Sequence, residues 1–166
     1  MTSPLFKLAA AASFLGLVGY GSMPVLANTP NAKRFVVMHP AAPAPTYIDL
    51  GAPGDSVGDI RIWHFMGTTG QGSPVTIDWI MTTTASNADG IDSRISNATF
   101  SFKGSDKDQI TLQGVGIYSN KSNTFKPESL KRAIGGGTGK FTGVMGQVNS
   151  MHLPDGSWQH VFKLAP

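Results

Sequence analysis

The sequence predicts an all-β protein, and three observations predict it. Apolar and polar residues alternate with a period of two along short stretches, clusters of Gly, Pro, Asn and Asp separate those stretches, and no stretch carries a convincing helical period. About eight strands can be counted this way. Their spacing suits an immunoglobulin-like sandwich or a closed barrel equally well.

The chain begins with Lys7 and a nearly uncharged apolar run over residues 8–20, followed by Val25-Leu26-Ala27 where a signal peptidase reads small or aliphatic side chains. That pattern predicts a secretory signal over residues 1–27 and a secreted or periplasmic protein. Gly16, Gly19, Gly21 and Pro24 interrupt the run, and a membrane helix needs roughly 20 apolar residues, so no transmembrane segment is expected after cleavage. Residues 28–46 read as an N-terminal arm: a polar start, a first short strand through Phe35, Val36, Val37 and Met38, and a connector whose Pro40, Pro43 and Pro45 cannot donate to a ladder. The main domain is expected over residues 47–166.

Within it, residues 47–50 form a short strand and 51–56 are turn chemistry throughout. Residues 57–66 form the next strand and 67–73 a Gly- and Thr-rich loop. Over 74–84, Val75, Ile77, Trp79 and Met81 share one face and Thr76, Asp78, Ile80 and Thr82 the other. A polar loop over 85–92 leads to a strand at 94–103, with Ala98, Phe100 and Phe102 on one side. Residues 109–118 make another strand, and 119–128 a loop. Residues 130–134 lead into a glycine-rich corner that feeds a strand at 144–153; the hairpin turn at 154–157 returns the last strand over 158–164.

Composition removes several classes of function. Thirteen basic against ten acidic residues give a net charge of +3, scattered along the chain, so no nucleic-acid partner is expected; Lys33-Arg34 and Lys131-Arg132 read as solvated strand ends. The absence of cysteine excludes thiol catalysis, thiolate metal sites and disulfides. In the glycine run, Phe141 follows Lys140 where a phosphate-binding loop needs Ser or Thr, and no Gly-x-Ser-x-Gly elbow occurs. A turn centred on Asp155-Gly156 sets Met151 opposite His160 and puts His152 and His160 on opposite faces, so no metal site is expected among the four histidines.

Two separated motifs carry a family resemblance. Residues 136–148 read Gly-Gly-Thr-Gly-x-Phe-x-Gly-x-x-Gly-x-Val, and residues 49–60 read Asp-Leu-Gly-Ala-Pro-Gly-Asp-Ser-Val-Gly-Asp-Ile. Both are similar to signatures of the allene oxide cyclase and dirigent superfamily, and the likeness runs over roughly residues 47–164. The resemblance decides between the architectures: it implies an eight-stranded antiparallel β-barrel of the calycin type, with residues 47–166 as the barrel domain and a homotrimer as the assembly. It further implies no cofactor, a cavity binding a small hydrophobic or phenolic molecule, and conformational steering of a cyclisation, isomerisation or coupling. The alternative is a non-catalytic ligand-binding or cell-envelope interaction protein, and a third possibility is a structural cell-envelope protein whose barrel is filled by Trp63, Trp79 and Phe100. Asn97-Ala98-Thr99 and the triplet at 120–122 fit the glycosylation sequon in a eukaryotic source.

By position against the family signature, Asp59, Arg61, Trp63 and Phe65 face the cavity, with Ile60, Ile62, His64 and Met66 outside. If a hairpin sets Trp63 opposite Asp78, then Asp78 joins the lining beside Arg61. An inward carboxylate and guanidinium are expensive to desolvate without a partner or a task, so Arg61 and Asp78 are the expected catalytic anchors or a structural ion pair. Asp59, Trp63, Phe65 and Tyr118 are the expected ligand-binding residues. The match to the family is partial here: Phe65 stands where the cyclases carry a cavity asparagine, and no counterpart to their glutamate occurs near residues 35–39.

Overall fold

The computed structural model describes residues 33–104, 106–119 and 129–166. The predicted signal at 1–27, the loop over 120–128 and the second sequon lie outside the described residues. The chain forms β1 (Arg34–His39), β2 (Thr46–Ile48), β3 (Ile60–Thr69), β4 (Pro74–Ser86), β5 (Ile91–Phe102), β6 (Gln109–Ser119), β7 (Ser129–Gly137), β8 (Gly146–His152) and β9 (Trp158–Leu164), with one 3₁₀ turn at Gly139–Phe141.

Consecutive strands from β2 to β9 pair antiparallel, and β1 closes the ring by pairing with both β9 and β3. The result is a closed eight-stranded antiparallel barrel in which β2 is an extra strand on the edge of β3. Closure leaves no long unpaired edge, which is how an all-β meander avoids edge-to-edge association. The first short strand is thus a full stave, running from Arg34↔Lys163 to His39↔Trp158 along β9.

Several element boundaries move. Residues 57–59 precede β3 rather than belonging to it, β3 continues to Thr69, and β4 and β5 extend until only residues 87–90 turn between them. Long ladders absorb residues that look like loop because pairing on both sides outweighs the weak strand preference of Ser, Thr and Asp. The glycine run is part strand and part corner: β7 runs through Gly137, and Phe141 on the 3₁₀ turn tucks inward. Gly146 sits at φ +140, where a Cβ would collide with the Lys163 carbonyl across the β8–β9 ladder. That close approach requires glycine.

The alternation sorts side chains as predicted. Val75, Ile77, Trp79 and Met81 point inward, as do Ala98, Phe100 and Phe102. One end of the barrel is closed by aromatic packing: Phe35 stacks on Phe162 at 4.6 Å between ring centroids, and Phe102 meets Phe141 at 4.8 Å. The interior toward the other end is polar, and the candidate site lies there.

Candidate functional site

The register between β3 and β4 decides which predicted residues meet. Trp63 lies opposite Trp79, and His64 lies opposite Asp78. The hairpin is therefore one residue out of phase with the expectation, and Asp78 does not join the lining. It sits on the outer face, its carboxylate 2.7 Å from His64 Nδ1, with both side chains more than half exposed. The wall of the barrel separates Asp78 from Arg61. A one-residue slip moves a side chain to the opposite face, and the Thr69-to-Ser73 turn sets the phase.

Arg61 does point inward and is buried, but its guanidinium is committed. It donates to Asp55 at 2.5 Å and to Thr83 Oγ1 at 3.0 Å, and stacks on the Tyr47 ring at 4.8 Å. Asp59, fully buried, accepts from the Tyr47 hydroxyl, the Leu50 and Ser56 amides and the Ser56 hydroxyl. Burial pushes its pKa up, but those donors outweigh burial and hold it down at about 2. In turn, burial and then the hydrogen bond to Asp59 raise the Tyr47 hydroxyl well above its usual value. Asp59 and Arg61 thus tie the segment over 49–58, the second family-like motif, onto the start of β3.

Trp63 and Phe65 line a pocket of about 50 Å³, together with His39, Ala42, Trp79, Met81, Arg132, Trp158 and His160. Tyr118 is fully buried one layer behind, its hydroxyl accepting from Arg132 Nη2 at 2.8 Å. The guanidinium of Arg132 also covers the Trp79 ring at 4.7 Å and reaches Ser150 Oγ at 3.4 Å. Burial lowers its pKa, and Tyr118 opposes that shift.

From Ser150 a chain of hydrogen bonds runs to the pocket wall, and its direction can be deduced. His39 Nδ1 lies 2.6 Å from the Pro40 carbonyl, which only accepts, so His39 carries its proton on Nδ1. His39 Nε2 is then an acceptor, and His160 Nε2, 3.1 Å away, must be the donor. His160 Nδ1 therefore accepts from Ser150 Oγ at 2.8 Å. Every link agrees with two neutral imidazoles. Burial lowers the His39 pKa to about 4 against the raising effect of the Pro40 carbonyl, and burial, then His39 and Arg132, hold His160 well below its ordinary value.

Sequence reasoning missed His39, Arg132 and His160 as site residues. Arg132 is buried, not a solvated strand end; only Lys131 faces out. Parity with Ile134 was the available signal. His160 lies opposite Ser150, not Met151, so His152 and His160 share a face, with His152 exposed at the rim against Trp158. Three residues, Pro154, Asp155 and Gly156, and not two, separate the paired Leu153 and Ser157, and that odd number sets the phase.

The fold is that of a dirigent-like, allene oxide cyclase-like β-barrel. Among solved structures, pyocyanin demethylase matches with a TM-score of 0.61 at 17% identity, covering 81% of this chain and 99% of its own. A pterocarpan synthase dirigent protein matches with a TM-score of 0.53 at 16% identity, covering 89% of this chain and 96% of its own. No protein-family model matches the chain, and no curated protein matches its sequence. At such identities the likeness establishes the fold. No helix among the described residues is long and apolar enough to cross a membrane.

Proposed function

We propose that this barrel binds a small hydrophobic or phenolic molecule at its polar end and steers its cyclisation, isomerisation or coupling, acting as an exported protein. The observation that carries the reading is the pocket itself. Indoles of Trp63, Trp79 and Trp158 with Phe65 and Met81 offer flat apolar walls, and the ring nitrogens of His39 and His160 are turned to protein partners, so the pocket presents an almost wholly apolar surface to a guest. The buried indole N–H of Trp79 has no acceptor among the described residues. Arg61 and Asp59 act on this reading as supports of the wall, and Tyr118 positions Arg132.

The test is fluorescence titration with 2-naphthol, a planar phenol, followed by quenching of the tryptophans. Met81→Trp fills the pocket and is expected to weaken binding about tenfold or more. Equal affinity in a folded variant would place the ligand elsewhere and leave the reading without support.

On the same reading the protein assembles as a homotrimer, and the outer face offers apolar side chains for an interface. Met66, Ile80, Val115 and Ile117 are each more than 40% exposed on β3, β4 and β6, and Ile80 lies beside Ile62. Exposed apolar patches of this kind mark interfaces. Ile80→Glu is expected to shift the sedimenting species toward monomer; a wild-type chain that already sediments as a monomer would exclude the assembly.

A further inference from the structure

Two strands share one edge of β3, and they leave a gap between them. The β1 ladder ends at Met38↔Thr68, and the β2 ladder begins at Thr46↔Ile62. Over the interval, seven residues from His39 to Pro45 pass five residues from Trp63 to Gly67, so the two backbones cannot stay in register. Three of the seven are prolines with no N–H to donate. Among the described residues, residues 40–45 contribute nothing to the backbone hydrogen bonds outside the ladders.

Two side chains hold this strap instead. Trp63 Nε1 donates to the Pro43 carbonyl at 2.9 Å, and His39 Nδ1 donates to the Pro40 carbonyl at 2.6 Å. Both side chains line the pocket, and so do Ala42 of the strap and Phe65 behind it. The strap is therefore one wall of the pocket, tied to it by two side-chain hydrogen bonds and no ladder pairing.

Size makes that wall matter. A pocket of about 50 Å³ is well below the roughly 150 Å³ of a cavity that holds benzene. The pocket opens to solvent at its mouth, but it cannot enclose a phenol-sized guest while every wall stays in place. The far end offers no route, because Phe35, Phe102, Phe141 and Phe162 pack across it.

We propose that the strap over residues 40–45 is the gate of this pocket: a ligand enters sideways between β1 and β3 as the strap lifts off Trp63, and the strap then settles over it. This rests on the reading that the pocket takes a small molecule. His39 is the hinge-side tether, because its backbone still pairs with Trp158 in β9 while its ring holds Pro40. Trp63 is the latch, because it holds the middle of the arch by one hydrogen bond.

A staple tests it. A Cβ built on Gly156 lies 3.8 Å from the Ala41 Cβ, which is disulfide geometry, and the natural chain has no cysteine to interfere. Oxidised A41C/G156C is expected to slow 2-naphthol association about tenfold or more, with reduction restoring the rate. The reduced form controls for strain from placing Cys at the positive φ of Gly156. Acrylamide quenching of the buried tryptophans reads the opening without any ligand and is expected to fall severalfold on oxidation. Trp63→Phe removes the latch and is expected to speed both 2-naphthol association and dissociation. Unchanged quenching and association on oxidation would overturn the gate. If 2-naphthol does not bind even the wild type, the ligand reading falls while the acrylamide result still decides the gate.

Discussion

Asp59→Ala is expected to lower the free energy of unfolding by about 2–4 kcal/mol, as the urea midpoint would show at unchanged slope. Asp59 is fully buried and accepts from four donors, three of which belong to the segment over 49–58. Deleting the carboxylate leaves the Leu50 and Ser56 amides without their acceptor and the Tyr47 hydroxyl with only Asp55 at 3.4 Å, and removes the fixed point beside which Arg61 and Asp55 pair. Asp59→Asn should cost less, because one amide oxygen still accepts while the amide NH₂ faces donors. A loss below about 1 kcal/mol for the alanine variant would mean that the segment does not depend on this knot.

Stability is expected to fall by about 2–3 kcal/mol between pH 6.5 and 4 through His39 alone, with His160 adding to the loss in the same direction. Above pH 6.5 both histidines are neutral in the folded and unfolded chain, so neither contributes a difference. Below it the unfolded chain takes up protons that the folded chain refuses, because burial holds His39 at about 4 and holds His160 well below its ordinary value. The sign is therefore a stability present above the ordinary histidine pKa and lost as pH falls. Asp59 adds a second loss at more acid pH, as its carboxylate, held at about 2, is protonated first in the unfolded chain. Melting temperature against pH checks this: His39→Asn should flatten the slope between pH 6.5 and 4. An identical slope in the variant would assign the titration elsewhere.

Both predictions concern residues that the sequence treated unevenly. Asp59 was legible as an inward residue, yet it was read as part of a ligand site, and the structure ties it to Tyr47, Leu50 and Ser56 instead. Alternation tells which face a residue occupies; it does not tell whether a neighbouring loop has already used its lone pairs. Arg61 follows the same rule. Asp78 shows the other failure, because its face in β4 was read correctly from Thr76, Ile80 and Thr82, and only the assumed cross-strand phase brought it inside.

The sequence by itself determined the all-β class, the order and approximate extent of the strands, the inward faces of β3, β4 and β5, and, through two glycine-bearing motifs, the kind of barrel. These are local properties: a period of two and the turn residues between strands follow from the chain's own stereochemistry. The tertiary structure alone decided the register of each ladder, the closure of β1 onto β9, and hence the meeting of His39 with His160 across 121 residues of sequence. Register depends on how many residues each turn absorbs, and closure on strand tilt around the whole ring. Both are set by packing summed over eight strands, which no single stretch of sequence contains.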